Sequence, residues 1–268
     1  MMSLVPQLHE YDMGTRVRAF STTRHGCVGV GNYAGFSVNH YCGDAPEAVS
    51  QNRSTLCRLL QIDERMLVYP HQTHGTELRV IDNEFLCQPT DVRCGQLEGI
   101  DGVMTNVRGV CIGVSTADCI PVLLYDEDHQ AVAAIHAGWR GTVGRIVEKA
   151  VTAMQHAYGS MPQRLRAVIG PGISMKNFEV GDEVFAAFAA AGFNMLSIAR
   201  RYPCKDSLSE KWHIDLWECN RQQLMGQGVE AANIQLAGIC TYDRCVDFFS
   251  ARRLGINSGR ILTAIIME

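Results

Sequence analysis

Three side chains able to bind a borderline metal sit at the ends of apolar runs. They are His74 in the turn His71-Gln72-Thr73-His74-Gly75, Cys119 after Thr116-Ala117-Asp118, and His136 just ahead of Gly138-Trp139-Arg140-Gly141-Thr142. Strand ends and turns are where side chains from distant parts of a chain converge. Two imidazoles and one thiolate leave a fourth tetrahedral position open, which is the ligand set of a catalytic zinc site rather than a structural one. A metal held there would keep Cys119 as a thiolate and bring the pKa of a bound water to about 7. A plainer alternative is a buried cysteine beside two hydrogen-bonded histidines. A third is covalent chemistry, with Cys119 as nucleophile and His136 as its base in a cysteine hydrolase or amidase.

A second constellation is basic. Arg140 is flanked by Gly138 and Gly141, which let the backbone approach a ligand closely, and a helix is expected to open at Thr142 with its N–H groups free. That suits phosphate, although the segment is neither a P-loop nor a dinucleotide fingerprint. The ordinary alternative is an arginine bridging surface carboxylates. Arg24 and Arg253 are further positive groups in turn-like contexts, and Asp118 beside Cys119 is a candidate proton carrier or a turn residue. His71 shares the turn of His74 and is expected to be structural. Trp139 is a candidate to stack on a base, or else a buried tryptophan.

The elements that must position these groups are legible as apolar runs and caps. Residues 111–115, continuing through 120–125, read as one strand, and 131–137 as the next, joined by the polar turn 126–130. Residues 17–22, 66–69, 77–81, 100–105, 164–169, 178–180, 234–240, 246–250 and 261–267 are further extended runs. Residues 142–158 repeat at helical period, with Val143, Ile146, Val147, Ala150 and Met154 on one face. Asp44 is placed to cap a helix bearing Val49, Leu56, Leu59 and Leu60, Asp182 to cap 183–191, and Gly228 to stop 215–227. Residues 26–43 form a long ordered loop, 83–98 a surface insertion, and 198–213 an irregular polar stretch. Many strands, three or four helices and no regular βαβ alternation predict α+β architecture: a single compact domain over 1–268, with mixed β-sheets flanked by helices.

Composition narrows the function classes. The 268 residues are 47% hydrophobic and 19% charged, ordinary for a globular domain. A net charge of −4 offers no basic footprint, so nucleic acid is not an expected partner. No apolar run is long enough to span a membrane and no signal-peptide pattern opens the chain, so cytoplasmic location is expected. Eleven cysteines, an odd and scattered set, read as reduced thiols, most of them small buried apolar groups. Cys87 and Cys94 lie in a polar segment where pairing or metal binding is conceivable.

The segments TTRHG, HQTHG, TADCIPVLLYD, AAIHAGWRGT, IGPGIS, Cys240-Thr241 and FFSARR together resemble the laccase-domain family, over about residues 17 to 266. Members of that family carry the label polyphenol oxidoreductase, and many are regarded as purine nucleoside phosphorylases. The resemblance implies a compact α+β domain with zinc bound by His74, Cys119 and His136. It implies phosphorolysis of adenosine, inosine, guanosine and methylthioadenosine, with adenosine deamination as a second activity. Purine nucleosides and phosphate are then the partners; for such chemistry Arg140, with Arg24 or Arg253, are the candidate anion holders and Asp118 a candidate proton carrier. A copper-dependent polyphenol oxidase is the alternative within the resemblance. The sequence departs from the family pattern in the Gly26-Cys27-Val28-Gly29 loop, where a serine is lost. It departs again at Ser37, in an asparagine's place, and at Ala251, in a tyrosine's.

Overall fold

The computed structural model describes residues 5–26, 30–203 and 210–268. The departure at Cys27-Val28-Gly29 lies outside the described residues. In chain order the strands are β1 Leu8–Tyr11, β2 Val17–Thr22, β3 Leu67–Val68, β4 Leu78–Val80, β5 Gly102–Thr105, β6 Cys111–Thr116 and β7 Ile120–Asp126. They continue as β8 Ala131–Ala137, β9 Arg166–Ile169, β10 Glu179–Val180, β11 Ala199–Pro203, β12 Glu210–Ile214, β13 Ile234–Leu236 and β14 Ile261–Met267. The helices are α1 Pro46–Leu60, α2 Asn83–Cys87, α3 Thr90–Gln96, α4 Trp139–Val143, α5 Ile146–Tyr158, α6 Asp182–Ala190, α7 Met195–Ile198, α8 Leu216–Gly226 and α9 Ala251–Leu254.

Strands assemble into a five-stranded sheet, β1-β2-β14-β6-β3, a six-stranded sheet, β13-β9-β7-β8-β5-β4, and a small sheet, β10-β12-β11. Both large sheets mix parallel and antiparallel pairs, as β3 beside β6 and β7 beside β8 show. This is the mixed α+β architecture expected.

Period-2 alternation explains how the layers stack. Leu123 and Tyr125 of β7, with Val132 and Ala134 of β8, point into one cluster together with Ala19, Ile112, Val114 and Ile265 of the five-stranded sheet. The two large sheets therefore pack face to face. On the far side of the six-stranded sheet, Val122, Leu124, Ala133 and Ile135 meet Ile146, Val147, Ala150 and Met154 of α5 and Leu216 and Leu224 of α8. On the far side of the other sheet, Phe20, Leu262 and Ala264 meet Leu56 and Cys57 of α1. Each fully buried side chain of this size contributes roughly 1.5–3 kcal/mol.

This layering corrects the first expectation. Residues 111–115 and 120–125 are not one strand, because β6 belongs to the five-stranded sheet and β7 to the six-stranded one. The chain changes sheets at Ala117 and Asp118, with Asp118 in the left-handed region at φ 83°. Both strands are buried on both faces, so they read as one continuous apolar run.

Other elements also differ. The helix expected over 142–158 is two helices, broken where Arg145 takes φ 62°. Ala45, not Asp44, caps α1, with Pro46 pre-setting its first turn; Asp44 instead accepts from the Ala45 N–H at 2.8 Å. Gly181 precedes α6 and Asp182 lies in its first turn. Residues 83–98 fold as α2 and α3 and bury Phe85 and Leu97 in the core, so they are no mere surface insertion. Within 198–213 the chain forms β11 and much of β12 rather than irregular structure. Residues 246–250 form a turn, a bend and irregular chain rather than a strand.

Candidate metal centre

His74 is placed by a turn that has almost no regular structure of its own. After β3 the chain keeps contact with β6 through one side chain: the Gln72 amide donates to Ser115 O at 2.7 Å and accepts from Ser115 N at 2.7 Å. That carboxamide extends the ladder where the backbone has left it. The next three backbone N–H groups, of Thr73, His74 and Gly75, all donate to the carboxylate of Asp101, at 3.2, 3.0 and 2.7 Å. His74 itself sits at φ 65°, a position that L residues rarely hold without such bracing.

Cys119 is placed by the change of sheets. Asp118 accepts from the Thr241 hydroxyl at 2.6 Å and from the Arg252 backbone N–H at 2.6 Å, while its carbonyl accepts from Ile173 N at 2.8 Å. Both carboxylate oxygens are thereby occupied, and Asp118 ties the hinge to the start of α9. These are positioning contacts, the turn role that the sequence also allows for Asp118.

His136 lies near the end of β8, buried, opposite Pro121 of β7. Its Nδ1 donates to Asp101 Oδ1 at 2.7 Å. A carboxylate only accepts, so Nδ1 carries a proton and it is Nε2 that faces away from Asp101. Asp101 is fully buried and receives four hydrogen bonds, which orient two of the three ligands at once. Sequence reasoning missed it. A lone aspartate in Gly99-Ile100-Asp101-Gly102 carries no motif, and only the preceding turn's need for acceptors could have pointed to it.

The ligand atoms of His74, Cys119 and His136 all lie within 4.8 Å of one another, the only such group of metal-binding residues among those described. Donors around tetrahedral zinc are about 3.4–3.6 Å apart given bond lengths of 2.0–2.3 Å, so a small adjustment closes the set on an ion. A Cβ added at Gly138 would lie 3.0 Å from His74 Cδ2 and 3.1 Å from Cys119 Sγ. Glycine there keeps the space over the trio clear, and the residues fit a metal.

The electrostatics agree. Burial works to raise the Cys119 pKa, but the charges and hydrogen bonds of His136 and His74 outweigh it and bring the thiol down to about 6. For His136, burial works downward and is outweighed by the Cys119 thiolate and the Asp101 hydrogen bond, which hold it up at about 9. Asp101 stays below the usual carboxylate range because the His136 hydrogen bond and charge, with the Gly75 and Thr73 N–H groups, overcome its own desolvation. The trio is built to hold a thiolate.

The trio lines a cavity of about 530 Å³, whose walls include Asn39, Tyr41, His71, Ser115, Thr116, Asp118, Ala251, Arg252, Ile256 and Arg260. The expected anion holders are elsewhere. Arg140 is exposed within the first turn of α4, its guanidinium 4.4 Å from the Trp139 ring. Arg24 donates to Ala34 O at 2.7 Å and to Cys245 O, and lies over the Phe249 ring. Arg253 lies over Tyr242, 5.1 Å from its centroid. None of the three lines the cavity.

His71 does line it, bound through Nδ1 to Glu98 at 2.8 Å and stacked on Tyr41 at 4.1 Å. Of the two family departures that fall on described residues, Ala251 is on the cavity wall, and Ser37 accepts from Arg260 N at 3.2 Å behind it. The nine described cysteines are free, Cys87 and Cys94 among them and exposed.

Comparisons with known proteins follow the same residues. A family model described as multi-copper polyphenol oxidoreductase laccase matches residues 18–268. A protein of Bacteroides thetaiotaomicron named purine nucleoside phosphorylase is 46% identical over 255 residues, covering 95% of this chain and 93% of that protein. A protein from an unknown prokaryotic organism named adenosine deaminase RL5 is 45% identical, covering 93% of each chain. Among solved structures, the hypothetical protein YfiH of Bacillus licheniformis superposes with a TM-score of 0.89 at 25% identity, covering 98% of this chain and 97% of that one.

Proposed function

We propose a function from one premise: this chain belongs to the multi-copper polyphenol oxidoreductase laccase family. It is an enzyme acting on purine nucleosides, in keeping with the names of its relatives. More finely, it is a zinc-dependent purine nucleoside phosphorylase for adenosine, inosine, guanosine and methylthioadenosine, with adenosine deamination as a second activity. The observation that carries this reading is the trio of His74, Cys119 and His136 on the wall of a cavity large enough for a nucleoside.

In phosphorolysis the bond from C1′ of the ribose to the purine nitrogen breaks, its electron pair leaving with the base. A phosphate oxygen forms the new bond to C1′. The protein must hold phosphate beneath C1′ and relieve charge on the departing purine. Zinc held by His74, Cys119 and His136 would supply Lewis acidity and a water of lowered pKa. The chain's part is orientation. Asp101 fixes the imidazole of His136 and the turn of His74, and Asp118 fixes the hinge that presents Cys119.

Copper is the alternative that the family name suggests, and two histidines with one cysteine is also a blue-copper set. Such sites add a weak axial methionine and serve electron transfer. Among the described residues no methionine lines the cavity, and Gln72, the other side-chain type that serves as axial ligand, is held by Ser115; His74 is exposed beside space for a substrate. That geometry favours zinc with an open position.

Protein purified without added metal should carry about one zinc per chain. With adenosine and phosphate it should yield adenine and ribose 1-phosphate in equal amounts, and with adenosine alone at most inosine. Copper as the resident metal with turnover of phenols, or no free base from any purine nucleoside, refutes the reading.

A further inference from the structure

A phosphorylase needs a site for a dianion, and the three arginines that the sequence suggests for it do not line the cavity. Two others do. Arg252 is the second residue of α9, and its backbone N–H is the group held by Asp118 Oδ2 at 2.6 Å, one residue from Cys119. Arg260 enters from the turn before β14, its backbone N–H held by Ser37 Oγ at 3.2 Å. Both backbones are thus pinned to the frame of the cavity, Arg252 to the metal centre itself.

The charges of these arginines are not spent. The Arg252 guanidinium donates to the carbonyls of Glu179 at 3.2 Å and Asn177 at 3.5 Å. That of Arg260 donates to the carbonyls of Ser258, Gly259 and Ile256 and to the Ser258 hydroxyl. Carbonyls orient a guanidinium without neutralising it. Asp118, the one carboxylate among the described lining residues, bonds Thr241 and the Arg252 N–H, and among the described residues neither arginine has an ion-pair partner. Both line one cavity.

We propose that Arg252 and Arg260 form the oxyanion subsite of this cavity and that its ligand is inorganic phosphate, the co-substrate. The guanidinium fork suits two phosphate oxygens at once. This inference rests on the proposed phosphorylase reading, and the experiment separates the two.

Arg252→Gln and Arg260→Gln should each raise the KM for phosphate about tenfold, the low end for a charge-assisted contact, since Arg252 is exposed and Arg260 half-buried. The KM for nucleoside, the zinc content and the melting temperature should stay near wild type, and Arg→Lys should recover part of the loss. A purely structural role would instead lower melting temperature and zinc content while leaving the phosphate KM alone, and that overturns the proposal. So does an unchanged phosphate KM in both variants with a raised one in Arg140→Gln.

If the wild type forms no free base, the phosphorylase reading falls, and direct titration with inorganic phosphate by calorimetry still decides the subsite. Binding to wild type that is lost in both glutamine variants keeps it. No phosphate binding to wild type sinks it.

Discussion

Replacing Asp101 by asparagine tests the organisation of the metal centre without touching a ligand. The carboxylate accepts four hydrogen bonds, from His136 Nδ1 at 2.7 Å and from the N–H groups of Gly75, His74 and Thr73 at 2.7, 3.0 and 3.2 Å. Both His136 and His74 N–H groups bond Oδ1, whereas Thr73 and Gly75 bond Oδ2. Asparagine has one acceptor oxygen. If that oxygen takes the Oδ1 position, its NH2 group confronts the Thr73 and Gly75 N–H donors. If it takes the Oδ2 position, the NH2 group faces His136 Nδ1, which must then give up its proton, and the tautomer that leaves Nε2 free is lost.

Either way at least one backbone N–H is left facing an NH2 group in a fully buried place. Leaving a buried donor unmet costs about 1–3 kcal/mol, so Asp101→Asn should destabilise the fold by roughly 2–4 kcal/mol after partial relaxation. Loss of a carboxylate behind a metal-binding histidine typically costs 10- to 100-fold in metal affinity. The assay is zinc competition against a chromophoric chelator, paired with thermal melting with and without chelator. Affinity should fall by that factor, and the gap between metal-loaded and metal-free melting temperatures should narrow. Asp101→Asn protein that holds zinc as tightly as wild type and melts at the same temperature would refute the argument that one carboxylate sets both histidines.

Two further outcomes follow from the trio. Substituting alanine for any one of His74, Cys119 or His136 should empty the site in metal analysis, whereas His71→Ala, which removes only a Glu98 contact and a Tyr41 stack, should leave about one zinc per chain; full occupancy in Cys119→Ala removes the proposed ligand set. In metal-free protein Cys119 should be thiolate above pH of about 6 and thiol below it, so its alkylation rate should rise through a midpoint near there rather than near the ordinary 8.5. Bound zinc should suppress that reaction and chelator restore it. Rapid alkylation of zinc-loaded protein, with activity surviving chelation, would favour a cysteine hydrolase instead.

What was legible in the sequence was chemistry carried by residue type at strand ends. His74, Cys119 and His136 could be picked out by residue type, but a buried cysteine beside two hydrogen-bonded histidines fitted the same residues until the family resemblance singled them out; the structure brings all three together. The sheet change between β6 and β7 was hidden, because strands buried on both faces lose the alternation that marks a face. Local helix signals misled at Asp44, where Pro46 at the first helical position sets the boundary instead.

The anion site shows the sharper limit. In Phe248-Phe249-Ser250-Ala251-Arg252-Arg253 two arginines are adjacent, and a four-residue helix gives no repeat from which to tell which one faces inward. The decision is made by Asp118, more than a hundred residues away in sequence: its carboxylate seizes the Arg252 N–H and so fixes the rotation of α9 against the hinge. The contact that presents Cys119 to a metal also turns Arg252 toward the same cavity and leaves Arg253 over Tyr242. A shift of the Asp118 clamp would therefore disturb metal and anion sites together. Asp118→Asn, which keeps one oxygen and places an NH2 group against either the Thr241 hydroxyl or the Arg252 N–H, should weaken zinc binding and phosphate use in parallel. Loss of one without the other would show that the two sites are held separately.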